Sequence, residues 1–438
     1  MAIRIIGAGL AGCEAAWQAA NLGAEVILCE MKPHKHSAAH KSDDFAELVC
    51  SNSLRADGIH NAVGLLKEEM RHMNSLIMMC ADATKVPAGG ALAVDREGFS
   101  KLITEKIKSH PNIKIEYGEV DKINPDEYTI VAAGPLASDL ISEEIKNFTG
   151  NDYLHFFDAA APIVSYDSID MTKAFCAARY GKGGADYINC PMNREEYTAF
   201  WQELVNAEAA EVHGEVDNPK VFEGCMPIEI MAARGEDTMR FGPLKPVGLT
   251  DPRDNSRPYA VVQLRRDNAA GSMYNIVGFQ THLKFGEQKR VFSMIPGLEN
   301  AEFVRYGVMH RNTYINSPKL LTDTYRMKKY EKLYFAGQIT GVEGYIESAA
   351  SGLIAGRSAA LSQMGKAEMH YDNETAIGSL ATYVSNGSIE NFQPMNVNFG
   401  IMAELGVRIK DKKQKAEMYA QRSLEKIIEA ESAYQNKI

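Results

Sequence analysis

The side chains with the greatest reactive potential are the cysteines, Cys13, Cys29, Cys50, Cys80, Cys176, Cys190 and Cys225. Their number is odd and no Cys-x-x-Cys occurs, which argues against a disulfide framework and against a structural zinc site. What such a set offers is a lone thiol that reacts as a thiolate near neutral pH. The competing reading for any one of them is a small buried apolar residue, the ordinary fate of a free cysteine. His34, His36 and His40 are loosely spaced with no supporting carboxylate pattern, so they read as a solvated loop rather than a metal site, and no metal is expected. His282 and His310 lie among Gly, Asn and Arg and are candidates either for an active-site role or for hydrogen-bonded structural positions. Arg265, Arg266, Lys284, Lys289, Arg290, Arg305 and Arg311 crowd into less than fifty residues of a chain whose formal net charge is −10. Such runs are usually solvated faces. A molecule this acidic repels nucleic acid as a whole, so an RNA partner would have to meet a local basic surface of this kind.

The elements that could position these groups begin at the N-terminus. Ile3 to Ile6 is a short, isoleucine-rich run suited to a buried parallel strand. Gly7-Ala8-Gly9-Leu10-Ala11-Gly12 follows, then a helix carrying Ala15, Ala16, Trp17, Ala19, Ala20 and Leu22, ended by Gly23. Glu25 to Cys29 reads as a second strand closed by Glu30. This is the G-x-G-x-x-G fingerprint between a strand and a helix. Gly7 allows the tight turn, Gly9 lets backbone approach a pyrophosphate, and Gly12 lets helix and strand pack closely. The helix N-terminus faces the phosphates with free N–H groups, and Glu30 is placed to accept from a ribose hydroxyl. Cys13 falls in this helix and Cys29 in its second strand, so both read as core. A second strand–glycine–helix unit comes late. Leu333 to Phe335 leads into Ala336, Gly337 and Gln338, then Gly341-Val342-Glu343-Gly344-Tyr345 and a helix from Ile346 through Ala355. Thr129 to Gly134 reads as the short strand that closes the first part. A nucleotide site at the extreme N-terminus paired with a distant glycine turn points to FAD held in a two-part domain.

The fold expected is α/β: a Rossmann-type two-part FAD-binding domain with an inserted α+β domain and a C-terminal helix. Residues 1–150 would carry the first part of the FAD domain, 151–300 the insert on the substrate side, 301–375 the second part, and 376–438 a mostly helical segment. Phe45 to Cys80 reads as mostly helical, with Val63, Leu66, Met70 and Met73 on a core-facing stripe. The tail from Asp411 reads as an amphipathic helix with Ala420, Leu424, Ile427 and Ile428 on one side. At 438 residues, with 45% hydrophobic and 24% charged side chains, the chain has ordinary globular composition and room for two or three domains. No run is apolar for long enough to cross a membrane, and the first residues lack the basic leader of a signal peptide, so a cytoplasmic protein is expected.

Several segments go beyond this pattern. They are Phe45-Ala46-Glu47-Leu48-Val49-Cys50-Ser51-Asn52-Ser53, Val63 to Met70, Val86 to Arg96, Phe222-Glu223-Gly224-Cys225-Met226-Pro227-Ile228-Glu229, Asn268 to Gly271, Val277 to Leu283 and Gly337 to Tyr345. Together they closely resemble the folate- and FAD-dependent tRNA uracil-5-methyltransferases (TrmFO), from Ile3 to about Asp411. The resemblance implies transfer of a one-carbon unit from methylenetetrahydrofolate to C5 of a uridine in the T loop of tRNA. Reduced FAD would be the electron source, regenerated by NADPH or NADH. Some close relatives act on ribosomal RNA instead. Two departures stand out: a shorter loop after Leu249, and the filling Arg55-Ala56-Asp57-Gly58 after the first cysteine motif, neither expected to touch the chemistry.

On the same resemblance, Cys225 matches the cysteine assigned to uridine activation and Cys50 the second cysteine, near the flavin in a supporting role. The chemistry is coherent: a thiolate adding to C6 makes C5 an enolate-like nucleophile. Gly7, Ala8, Gly9, Leu10, Ala11, Gly12, Glu30, Gly337, Gln338, Gly341 and Tyr345 would hold the cofactor, with Tyr345 stacking near the flavin. Arg265, Arg266, His282, Lys284, Lys289, Arg290 and Arg311 would face RNA. Three other readings remain: a wobble-uridine enzyme of the GidA type, which has a longer chain and a large helical tail; an FAD oxidoreductase acting on a small molecule; and a non-catalytic RNA-binding flavoprotein. Oligomeric state has no signal in the sequence.

Overall fold

The computed structural model describes residues 2–37, 39–150, 153–181, 184–210, 226–390 and 392–435, with backbone alone for 153–158, 309–311 and 435. The isoleucine-rich Ile3–Ile6 run forms the central strand of a five-stranded parallel sheet. Val26–Glu30 and then Ile113–Tyr117 lie on one side of it, and Thr129–Val131 and then Leu333–Phe335 on the other. Strand order therefore reverses at the first strand, and in open parallel sheets ligands bind outside the carboxyl ends at such a switch point. The four strands read from the sequence all lie in this sheet. Ile113–Tyr117 was not among them: its pattern, Ile-Lys-Ile-Glu-Tyr, is that of a half-exposed edge.

The late return of the chain is explained by two helices, Leu10–Asn21 and Tyr345–Gln363. At Gly352 and Gly356 an added Cβ would fall 2.2 Å from the Ala11 carbonyl oxygen and 2.4 Å from that of Ala15. The helices thus meet backbone to backbone, and alanines fill the rest of the contact. Between the sheet strands, Ala62–His72 and Leu76–Ala83 are helical, with Val63, Leu66, Met70 and Met73 buried as the stripe implied. The stretch before them is not helical. Ser53–Ala56 is a strand paired with Ala91–Val94, and Arg55 takes a positive φ of 66° at the irregularity in that pairing.

The chain leaves and re-enters this body through one antiparallel pair, Tyr153–Ala159 with Met309–Ile315. Between them lies a six-stranded antiparallel sheet with its own core. Side chains alternate along its strands. Ile188, Cys190, Val262, Leu264 and Ile276 enter the core. In the same strands Tyr187 and Asn189 pair in register with Arg265 and Gln263 on the opposite face. That face meets the nucleotide domain: Tyr187 Oη donates to the Ala88 carbonyl at 3.0 Å, and Asp186 accepts from the Gly89 N–H at 2.7 Å.

Helices Ala376–Ser385 and Lys412–Gln435 pack on the first core. The last buries Ala420 and Ile427, while Ile428 is 49% exposed. The buried line runs through Ala416, Ala420, Ser423, Ile427 and Tyr434 instead of bending to Ile428. Among the described residues no helix is long and apolar enough to cross a membrane.

Candidate functional site

A cavity of about 630 Å³ opens at the switch point, within the range of roughly 300–1,000 Å³ typical of cofactor sites. Two helix N-termini converge on it. The Leu10–Asn21 helix starts at Gly9 and the Tyr345–Gln363 helix at Gly344, and neither has a side-chain cap, which leaves first-turn N–H groups available to a ligand. Gly7 has φ +101°, and a Cβ there would lie 2.6 Å from the Ala132 carbonyl oxygen. A Cβ on Gly12 would lie 1.8 Å from the Gly7 carbonyl oxygen. Gly9 is different: a Cβ there would meet nothing within 4 Å. Two glycines therefore serve packing and the middle one borders open space, the arrangement a pyrophosphate needs. Glu30 lines the cavity and accepts from the Ala8 N–H at 2.8 Å and the Lys32 N–H at 2.9 Å, so its carboxylate closes the glycine turn. Gly7 to Ala11, Glu30, Gly337, Gln338 and Tyr345 all line this space. Gly12 and Gly341 do not; an added Cβ on Gly341 would press on the Phe392 ring at 2.4 Å. These residues fit FAD by cradle, helix ends and volume.

Cys50 and Tyr345, almost three hundred positions apart in sequence, meet at the cavity wall. Cys50 Sγ lies 3.0 Å from Tyr345 Oη, which also accepts from the Cys50 N–H at 2.8 Å and the Ser51 N–H at 3.3 Å. Burial, reinforced by the neighbouring Cys50, pushes the Tyr345 hydroxyl well above its usual value. The loop carrying Cys50 is clamped from both sides by arginines. Arg96 donates to the Leu48 carbonyl and pairs with Asp267 at 2.8 Å, with both groups nearly buried. Arg265 donates to Ser51 Oγ at 2.7 Å and to Asn52 Oδ1 at 3.2 Å. The clamp joins the two bodies, since Arg265 and Asp267 belong to the inserted sheet and its following turn. Arg96 and Asp267 were missed by sequence reading. Their signal was present, because each lies at or beside a segment that carries the resemblance.

The filling after the cysteine motif also reaches the site. Arg55 lines the cavity and pairs with Glu347 at 2.8 Å. Glu347, in the first turn of the second helix, is buried, and burial raises its carboxyl pKa against the opposing pull of Arg55. His40 also lines the cavity, and burial lowers its imidazole pKa. His36 pairs with Asp43 at 2.9 Å instead.

The basic run does not act as one surface. Arg265 lines the cavity, but Lys284 pairs with Glu208 at 2.6 Å, and Arg290 pairs with Glu287 at 2.8 Å and with Glu203. Lys289 is exposed on the Phe285–Phe292 helix beside these pairs. The Arg266 carbonyl accepts from Asn52 Nδ2 at 2.9 Å, and its side chain lies against Gly271. His282 is held by Glu229, which accepts its N–H at 2.9 Å and contacts its Nδ1, and it does not line the cavity. Arg311 and His310 lie on the Met309–Ile315 strand with side chains outside the described residues, as is all of Cys225. The segment that follows Cys225 is anchored beside the cavity: Ile228 N–H donates at 2.7 Å to the carbonyl of Gln280, a lining residue.

Comparison with known proteins agrees with this geometry. Residues 2–367 match the family described as Glucose inhibited division protein A. A protein of Acetivibrio thermocellus named methylenetetrahydrofolate--tRNA-(uracil-5-)-methyltransferase TrmFO is 63% identical over 432 residues, 99% of each chain. One of the same name from Bacillus licheniformis is 59% identical over 425 residues, covering 97% of this chain and 98% of that one. Among solved structures, GidA of Aquifex aeolicus superposes with a TM-score of 0.70 at 17% identity, over 98% of this chain and 73% of that one, which establishes a shared fold. The GidA likeness weighed above as a rival is thus a likeness of family and fold, and the high-identity relatives lie elsewhere within it. The chain belongs to the Glucose inhibited division protein A family and, within it, to the group of TrmFO methyltransferases.

Proposed function

We propose that this protein methylates C5 of a uridine in the T loop of tRNA, with methylenetetrahydrofolate as the one-carbon donor and NADPH or NADH as the source of reducing equivalents, in the cytoplasm. The observation that carries the reading is the meeting of the Cys50–Tyr345 pair with the Gly7–Glu30 cradle in one cavity. It is supported by the name shared by the high-identity relatives. Reduced FAD, when bound, supplies the hydride equivalent that turns the transferred methylene into a methyl group. The chain supplies the rest. The uncapped helix starts at Leu10 and Ala11 and at Tyr345 would hold the cofactor through their free N–H groups. Cys225 Sγ, as thiolate, adds to uracil C6, so that C5 attacks the methylene carbon and that carbon's bond to the folate nitrogen breaks, with tetrahydrofolate as the leaving group. Loss of the C5 proton to a base accompanies that departure and leaves a methylene double-bonded to C5; a hydride equivalent received by the methylene carbon makes the methyl group and breaks the C6–S bond, returning the thiolate. Cys50 stands at the cavity wall with its Sγ 3.0 Å from Tyr345 Oη, in a loop that Arg265 and the Asp267-paired Arg96 hold in place. A low-dielectric wall of this kind strengthens every charge interaction within it.

The test separates an enzyme from a binding protein. Cys225→Ala should keep its yellow colour and its affinity for tRNA while folate-dependent methylation disappears. Methylation at the wild-type rate would remove Cys225 from the mechanism. A ribosomal RNA uridine as target would keep the chemistry and change the partner.

A further inference from the structure

One exposed aromatic side chain stands outside the hydrophobic cores. Tyr180 follows the strand Phe175–Ala177 at the edge of the inserted sheet, belongs to neither core, and is 61% exposed. Its backbone is left-handed, φ 59° and ψ 21°, which is rare for a residue with a Cβ and is maintained only where the surroundings enforce it. The enforcement is visible. Tyr180 N–H donates to the Gly248 carbonyl at 2.9 Å, and Gly248 itself has φ +85°. A Cβ on Gly248 would stand 2.8 to 2.9 Å from ring atoms Cε1, Cδ1 and Cζ of Tyr180. Only glycine at 248 lets the ring lie flat on the backbone, so one ring face is pressed down and the other is open.

The loop beneath is tied by the preceding residue. Arg179 donates to the Val247 carbonyl at 3.1 Å and to that of Lys245, and its Nε donates to Gln263 Oε1 at 2.9 Å. Gln263 lies on the sheet face that carries Arg265, two residues along the same strand, into the cavity. Among the described residues no carboxylate pairs with Arg179 or Lys245, in contrast to Lys284 and Arg290. A flat ring in a loop pair that also carries Arg179 and the exposed Lys245, neither paired with a carboxylate among the described residues, fits a stacked base with flanking phosphates.

We propose that Tyr180 is a stacking platform for an unpaired base of the RNA substrate other than the methylated uridine, with Lys245 and Arg179 beside its phosphates. The platform rests on the RNA reading given above. Stacking on an aromatic ring tolerates any base, so Tyr180 contributes affinity and placement rather than sequence choice.

The test is binding of fluorescently labelled, unmodified tRNA to the full-length, FAD-loaded protein at fixed salt, for wild type, Tyr180→Ala and Tyr180→Phe. Tyr180→Ala should bind roughly 5- to 150-fold more weakly, with flavin content and melting temperature as in wild type. Tyr180→Phe, which keeps the ring, should bind as wild type does. Wild-type affinity in Tyr180→Ala, or equal loss in both variants, would overturn the platform while leaving the RNA reading intact. Weakening in Tyr180→Ala that only follows a lowered melting temperature would overturn it in favour of a packing role. A wild-type protein that binds no tRNA would overturn the RNA reading and the platform with it.

Discussion

Cys50 Sγ and Tyr345 Oη lie within hydrogen-bond reach at 3.0 Å, and the same phenol oxygen accepts two backbone N–H groups from the cysteine loop. Removing either partner disturbs the other. Cys50→Ala should retain FAD and lower methylation by at least about a hundredfold, the scale of a lost positioned proton-transfer group. Tyr345→Phe should also retain FAD but expose the thiol, so that alkylation of Cys50 by iodoacetamide proceeds faster than in wild type. An unchanged alkylation rate would sever the pair. Both residues were legible in the sequence, though not their contact: Tyr345 read as a ring for stacking, and the structure shows its hydroxyl bound to the cysteine loop. No residue spacing announces a contact across almost three hundred positions. Arg55 was read as part of an unusual filling, away from the chemistry. Its partner Glu347 lies on a helix far along the chain.

At the scale of elements, the sequence reads well wherever a local period governs. The glycine fingerprint, the flanking strands and the Val63–Met73 stripe all lie where their spacing placed them. It reads poorly where pairing is non-local, as at Ser53–Ala56, a strand held by Ala91–Val94 rather than by its own pattern. The helix Ala62–His72 also hides a lysine among its buried residues. Lys67 donates to the Ala56 carbonyl at 2.5 Å, and burial, only partly offset by Asp57 and Glu347, lowers its pKa to about 7. Between the ordinary lysine range and about pH 7 the unfolded chain holds a proton that the folded chain resists. Stability should therefore rise with pH through that window and be lost as pH falls toward it. Thermal melting at intervals through the window should show this slope in wild type and a flatter one in Lys67→Met. Parallel slopes would mean that Lys67 is charged in the fold at neutral pH.

For the whole molecule, the site depends on two bodies held in register. Arg96 and Asp267 form a nearly buried pair across their boundary, and Arg265 reaches from the inserted sheet to the loop that carries Cys50. Breaking one partner of such a pair leaves an uncompensated charge and costs roughly 3–5 kcal/mol. Asp267→Ala should therefore unfold at clearly lower denaturant and lose methylation more than it loses FAD; equal stability would show that the clamp contributes nothing. The sequence indicated a basic surface from 265 to 311, but the fold pairs Lys284 and Arg290 with acids and turns Arg265 inward. Charge density along a chain does not reveal which cations meet carboxylates in space. The central claim is tested most directly by mass analysis of unmodified tRNA and ribosomal RNA after incubation with the FAD-loaded protein, methylenetetrahydrofolate and NADPH. One added methyl is expected on the T-loop uridine of tRNA, dependent on folate and independent of S-adenosylmethionine. Neither RNA gaining a methyl while the bound flavin is reduced and reoxidised would contradict it.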